Sequence, residues 1–373
     1  MAHIPRLRRE LEARGVDVVD LGAGDSDGAP PPAAVEALAK AASDPSFSRY
    51  PFQLGHPPFR EAVSAFMEER FGVMVDPMAE VLPLIGSKEG IAHLPMALLN
   101  PGDVAIIPDP GYQAYRGGVV LAGAEPVAVP LRPEDDFLLE PAGLPAEVIR
   151  RARLLVLNYP NNPTTATAPT EYLARMLDFC LEHGMVLAHD LAYSEIAFDG
   201  YRPPSILELP GAREHAVEFH SLSKSFNMTG WRLGWATGSR RILELLARLK
   251  TFVDTGAFLA VQEAGRAALE ERHTWLPENV EVFRRRRDVA VEAFRRAGFD
   301  ITAPRATMYL WVPVPAGITS EEFALRALEE AGVVVLPGSG LGAGGEGFFR
   351  VALTVDGHRL EEAAQRLARA GLT

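Results

Sequence analysis

Between residues 81 and 238, short apolar runs alternate with longer stretches whose apolar positions recur every three or four residues. The runs at 81–85, 104–108, 126–129, 154–157, 185–188, 217–219 and 233–237 have the length and character of buried strands. The stretches at 88–99, 112–121, 170–182 and 240–252 each carry one apolar face and predict helices. Strands apolar on both faces and separated by helices predict an α/β domain, a mostly parallel central sheet with helices on both faces. Ligands of such sheets bind beyond the carboxyl ends of the strands. The polar clusters of this chain fall there: Gly86-Ser-Lys88, 158–164, 190–193 and 221–224.

The flanks have a different texture. Residues 4–15 predict a short amphipathic helix, 16–21 a strand, and 32–42 a helix opened by a proline run. Beyond 256, helices at 259–270, 279–297, 320–331 and 358–370 surround an alternating strand at 307–314. This mixture predicts a smaller α+β domain. The expected division is an N-terminal segment, 1–37, that joins the small domain, a large α/β domain, 38–260, and a small C-terminal domain, 261–373. Arg284-Arg-Arg-Arg287 reads as the solvated basic face of its helix.

Composition narrows the classes of function. A hydrophobic content of 47% with 23% charged residues is ordinary for a soluble globular chain. A net charge of −12 argues against an extended nucleic-acid surface. The single cysteine, Cys180, excludes an intrachain disulfide and a cysteine-cluster metal site, and its helical setting points to core packing. No signal-peptide pattern opens the chain, and no run approaches the ~18 apolar residues of a membrane span. A cytoplasmic protein with no metal, membrane or nucleic-acid partner is expected.

Candidate chemistry begins with a choice of cation. Of 37 basic residues, four are lysine (Lys40, Lys88, Lys224 and Lys250) and the rest arginine. Lys224 stands in His220-Ser-Leu-Ser-Lys-Ser-Phe-Asn-Met-Thr-Gly-Trp-Arg232, between two apolar runs. A shielded lysine can lose its proton and act as a nucleophile, which a guanidinium cannot. Gly86-Ser-Lys-Glu-Gly90 joins a strand to a helix, where free N–H groups suit an anion, although it lacks P-loop and dinucleotide spacings. Tyr112 ends a strand with an aromatic face, and Asn158-Tyr-Pro-Asn-Asn-Pro-Thr164 is a stiff polar turn. Asp190 and Arg350 are charges in apolar strands that need partners: a ligand, each other or another residue.

Taken in order, these residues resemble the class I and II, fold type I pyridoxal-phosphate-dependent aminotransferases, from about Val18 to the C-terminal helix. The resemblance rests on Ser221-Leu-Ser-Lys224 with Arg232 eight residues on, on Asn162-Pro-Thr164, and on Asp190-Leu-Ala-Tyr193. It implies that Lys224 holds pyridoxal 5'-phosphate as an internal aldimine in a ping-pong transamination and carries the reacting proton. Ser221, Arg232 and Gly86-Ser87-Lys88 would bind the phosphate, and Asp190 the pyridine nitrogen. Tyr193 and Asn162 would bind the phenolic oxygen, and Tyr112 would stack on the ring. Arg350, with Gly24 and Asn162, would take the substrate carboxylate. Tyr50, in Tyr50-x4-Gly55, would reach the phosphate of a neighbouring subunit, so a homodimer with shared sites is implied.

Longer runs, Ile85 to His93, Asn158 to Thr164, Ala192 to Ile196, Asp199 to Ser205 and Phe219 to Gly234, are most similar to the prokaryotic LL-diaminopimelate aminotransferase branch. That branch suggests LL-diaminopimelate and 2-oxoglutarate as substrates. The chain departs from the family at Ser26, where proline is usual, and at Thr165 and Ala306, where glycine is frequent. The competing readings are a broad-specificity aspartate, alanine or aromatic aminotransferase and a carbon–sulfur β-lyase on the same fold. A non-catalytic regulator fits less well, because both Lys224 and Asp190 are retained.

Overall fold

The computed structural model describes residues 3–52 and 54–373, with the His3 side chain excluded, so Met1, Ala2 and the Gln53 position inside the Tyr50–Gly55 run lie outside it. Twelve strands are present among the described residues: β1 (Val19–Asp20), β2 (Val81–Leu84), β3 (Val104–Asp109), β4 (Glu125–Pro130), β5 (Ala152–Leu157), β6 (Val186–Asp190), β7 (Ala216–Ser221), β8 (Gly234–Gly238), β9 (Tyr309–Pro313), β10 (Val333–Val334), β11 (Leu336–Pro337) and β12 (Phe348–Ala352). Seven of them form one sheet in the order β2-β8-β7-β6-β5-β3-β4. All are parallel except β8, which runs antiparallel to both β2 and β7.

Both faces of this sheet are covered. Val104, Ile106, Leu155, Leu157 and Leu187 pack one face against the helices Pro57–Phe71, Thr170–His183 and Leu259–Glu270. Ala105, Ile107, Leu154, Val156 and Ala188 pack the other against Ser87–Leu98, Gln113–Leu121 and Arg240–Val253. Alternating residues of one strand thus feed two cores, the reason these strands read as continuous apolar runs. Each fully buried Phe or Leu contributes about 1.5–3 kcal/mol relative to exposure.

A third core lies under the antiparallel sheet β11-β12-β9 and the helices Arg272–Ala297, Ser320–Ala331 and Gly357–Arg369. The N-terminal segment joins it. β1 pairs with β10, and the Ala352 N–H donates to the Leu21 carbonyl at 2.7 Å. Tyr193, Ile196 and Phe198, which follow β6, also sit in this core and tie it to the large sheet. No described helix is long and apolar enough to cross a membrane.

Three local expectations change. The strand at 16–21 shrinks to the two residues that find a partner, and Val16 lies exposed. The helix expected from 279 begins at Arg272 and carries Pro277 within it. Arg287 leaves the solvated basic face. It is buried, its guanidinium lies over the Phe198 ring and pairs with Asp199, while Arg284 and Arg285 pair with Glu281 at the surface.

Candidate active site

Beyond the carboxyl ends of β5, β6 and β7 the chain leaves a cavity of about 530 Å³. β7 ends at Ser221, which caps a single helical turn, Leu222–Ser225, by accepting from the Ser223 N–H at 3.1 Å. That turn points Lys224 into the cavity, where Nζ donates to the Gly24 carbonyl at 2.5 Å. Gly24 has no room for a side chain, because a Cβ there would fall on the Tyr309 hydroxyl.

One end of the cavity is suited to an anion. Arg232 has a left-handed backbone, φ 55°, and donates to the Thr229 carbonyl at 2.8 Å. Its guanidinium pairs with no carboxylate among the described residues. Gly86, φ 69°, lies against it, and any Cβ at that position would collide with the guanidinium. The helix Ser87–Leu98 starts here, with its first N–H groups unused by the helix and Ser87 and Lys88 lining the cavity. Free N–H groups, a cation and the hydroxyls of Ser221 and Ser223 together make a site for a phosphate-like group.

At the floor, Asp190 is almost wholly buried at the end of β6. Its Oδ2 accepts from the Tyr115 hydroxyl at 2.8 Å, and its Oδ1 has no partner. Burial pushes the carboxyl above its usual range, against the opposing pull of Tyr115, His189, the Ala192 N–H and His220. Asn158 holds the turn in place. Its side-chain N–H group donates to the Asp190 carbonyl at 2.8 Å, and its Oδ1 accepts from the Asn162 N–H at 2.8 Å. Tyr112 lines the wall beside them, with its hydroxyl raised to about 12 by burial and by the Asp190 charge.

The remaining wall comes from the third core. Arg350 on β12 donates to Asn162 Oδ1 at 2.8 Å and to the Gly22 carbonyl at 2.9 Å, and its Nε has no partner. Its guanidinium lies 4.1 Å from the centre of the Tyr309 ring. Asp190 and Arg350 therefore do not pair with each other. Tyr309 and Tyr193 share a hydrogen bond of 3.0 Å. Burial raises the Tyr309 hydroxyl, but the Arg350 and Lys224 charges and the Tyr193 hydrogen bond bring it below its usual range. Tyr193 is raised well above its own range by burial and by Tyr309.

Of the residues singled out from sequence, Gly24, Ser87, Lys88, Tyr112, Asn162, Asp190, Tyr193, Ser221, Lys224, Arg232 and Arg350 line this one cavity. Gly86 sits behind it, against Arg232. Tyr50 is not brought there; it is 70% exposed on the surface beside Phe52. Sequence reasoning missed Tyr309 and gave no role to Tyr115, or to Asn158 and Ser223 within the runs it singled out. Tyr115 stands three residues after Tyr112, one helical turn away, and that spacing was the available signal.

A mostly parallel sheet with a lysine, a carboxylate and a guanidinium converging at its carboxyl ends defines a fold type I transferase. Residues 16–367 match the family Aminotransferase class I and II. The chain belongs to that family of pyridoxal-phosphate-dependent transaminases. It is 50% identical to the LL-diaminopimelate aminotransferase of Desulforudis audaxviator over 98% of this chain and 93% of the relative. Among solved structures, substrate-bound BacF of Bacillus subtilis matches with a TM-score of 0.95 at 34% identity, over 100% of this chain and 94% of that one. A probable N-succinyldiaminopimelate aminotransferase of Thermus thermophilus matches with a TM-score of 0.93 at 40% identity, over 99% of each chain.

Proposed function

We propose that this transaminase binds pyridoxal phosphate on Lys224 and takes LL-diaminopimelate as amino donor with 2-oxoglutarate as acceptor. The observation that carries the cofactor reading is the unpartnered, buried Oδ1 of Asp190 at the floor of a cavity whose far end is an anion cradle. A pyridine nitrogen that carries a proton supplies the missing donor, and a phosphate fills the cradle. Bound in this way, the cofactor supplies an electron sink for the charge left when the substrate Cα–H bond breaks.

The chain's own residues do the rest. Lys224 is the amine that binds the cofactor and, once released by the substrate, carries the proton away from Cα. Asp190 keeps the ring nitrogen protonated. Tyr193 and Asn162 would hold the phenolic oxygen, and Tyr112 would pack against the ring. Ser221, Arg232 and the Gly86-Ser87-Lys88 turn hold the phosphate. Arg350 grips the substrate carboxylate beside Gly24 and Asn162 and so orients the Cα–H bond.

The reading extends to a homodimer. Tyr50, Phe52, Leu54, Phe252 and Phe258 are exposed, and Gly256 packs against the Phe52 carbonyl, so the two segments form one apolar patch. A second copy covers this patch and receives Tyr50 at its phosphate site.

The purified protein is expected to be yellow and to retain the cofactor on Lys224 after borohydride reduction. Lys224→Ala is expected to cut turnover by about 10⁴-fold, the upper range for a positioned acid–base group. A panel of donors is expected to favour LL-diaminopimelate over aspartate, alanine and aromatic amino acids with 2-oxoglutarate. Full turnover in Lys224→Ala refutes the mechanism, and turnover without any 2-oxo acid favours the β-lyase reading.

A further inference from the structure

Side chains alternate along a strand, so Asp190 on the cavity side of β6 puts His189 on the opposite face. His189 is fully buried there, as is Glu218, the residue in register with it on β7. His189 Nδ1 lies 3.0 Å from Glu218 Oε2, and its Nε2 lies 3.1 Å from the Tyr159 carbonyl oxygen. A carbonyl oxygen can only accept, so Nε2 carries a proton.

The state of Nδ1 follows from Glu218. Two donors of fixed role converge on that carboxylate, the Ser205 hydroxyl on Oε1 at 2.8 Å and the Ile206 N–H on Oε2 at 3.0 Å, and His220 Nε2 lies 2.8 Å from Oε1. The Ser205 oxygen already accepts from the Leu207 N–H, which leaves its own proton for Glu218. Each oxygen of Glu218 thus accepts from a group that can only donate to it, as an ionised carboxylate does. Burial raises the Glu218 carboxyl, but hydrogen bonds from His189 and His220 and their charges outweigh it and bring it to about 2. An ionised Glu218 makes Nδ1 a donor too.

We propose that His189 is a buried imidazolium, protonated on both nitrogens, whose charge keeps Asp190 ionised from behind the sheet. The groups that face Asp190 from its other neighbours are the Tyr115 hydroxyl from the helix Gln113–Leu121 and the Ala192 N–H, both neutral donors. Tyr112 and Tyr193 are neutral as well, and Lys224 and Arg350 stand on other walls of the cavity. Glu218 faces His189 from β7. His220, stacked on Trp235 at 4.8 Å, stands on β7 and meets the same carboxylate through Nε2. His189 is thus the cation adjoining Asp190 on its own strand. An Asp190 neutralised by burial could not hold a protonated ring nitrogen, so the purpose of the charge rests on the cofactor reading. The charge itself does not.

His189 is a positioning residue in this scheme, acting through Asp190. Neutron diffraction from the deuterated apoprotein at neutral pH is expected to show deuterium on both His189 nitrogens and none on Glu218. Deuterium on Glu218, with a single one on His189, overturns the proposal without any variant having to fold. Carbon-13 titration of the Asp190 carboxyl in the apoprotein reads the effect of the charge. In His189→Gln, which keeps a donor and loses the charge, the Asp190 midpoint moves upward and pyridoxal phosphate binds about tenfold more weakly, the equivalent of one unit of titration. An unmoved midpoint overturns the electrostatic role, whatever the variant does to stability. Wild-type protein that binds no pyridoxal phosphate overturns the reading of the cavity instead, and the neutron map decides His189 in either case.

Discussion

The two faces of β6 and β7 treat buried polar atoms in opposite ways. On the face turned from the cavity, Glu218 has four hydrogen-bonding partners and is fully buried. On the cavity face, Asp190 Oδ1 and, across from it, Arg350 Nε have no partner. The same chain that saturates one carboxylate leaves another half-used a residue away on the neighbouring strand. An unmet buried group costs about 1–3 kcal/mol, more when charged. Among the described residues three other buried side-chain atoms lack a partner, Arg60 Nε, Trp235 Nε1 and Trp311 Nε1, scattered singly outside the cavity lining. An anion and a cation left short in one cavity mark a place where a ligand completes the bonding. The saturated cluster marks a place where the fold completes it.

Removing a carboxylate from each face tests this contrast. Glu218→Ala leaves His189 and its neighbours buried without their counter-charge and is expected to cost about 3–5 kcal/mol in denaturant unfolding of the apoprotein. The pH dependence has a definite sign. The Glu218 carboxyl is depressed to about 2 in the fold, so its contribution is complete above the ordinary glutamate value of ~4.3 and is lost as pH falls towards 2. Glu218→Gln should flatten that acid limb. An acid limb identical to wild type would mean that the cluster is not ionised.

Asp190→Asn is the matching experiment on the cavity face, with the effect moved from stability to rate. Turnover should fall about 10²–10³-fold, as when a preorganised electrostatic group is removed. The apoprotein should keep its unfolding temperature or gain slightly. Burial raises the folded Asp190 carboxyl, so that side chain contributes stability at low pH and loses it as pH rises through the raised value. The Asn variant lacks this loss. A marked drop in apoprotein stability would erase the distinction between the two faces.

The sheet was readable from sequence because its strands are apolar on both faces; Asp190 and Arg350 were readable as charges set in apolar runs, and Lys224 as a rare lysine in a polar stretch between two such runs. Helix Pro57–Phe71 was not. Its buried positions include Arg60 beside Phe59, Val63, Phe66 and Met67, so apolar residues do not mark out one clean face. The walls of the site were hidden for a different reason. Tyr309 reaches the cavity because β9 pairs with β12 in the register that sets Tyr309 opposite Ala352, two residues from Arg350. Register between strands nearly forty residues apart is a tertiary fact. His189 and Glu218 were likewise invisible as a pair until β6 and β7 were aligned.

Tyr115 is where the two modes meet, since its hydroxyl is the fold's own donor to the carboxylate that otherwise awaits a ligand. Its ring is almost fully buried, so Tyr115→Phe preserves the packing and deletes one hydrogen bond. If Asp190 were a structural carboxylate like Glu218, that deletion would cost the apoprotein about 1.5–3 kcal/mol, the usual worth of a hydrogen bond to a charged group. If Asp190 is instead a ligand-facing group, its Oδ1 already lacks a partner and burial already raises its carboxyl, so the fold has less to lose there. Stability should then change by less than about 1 kcal/mol, and pyridoxal phosphate affinity should weaken a few-fold. Thermal unfolding with and without the cofactor separates the outcomes, because a ligand that repairs Asp190 must stabilise the wild type more than Tyr115→Phe.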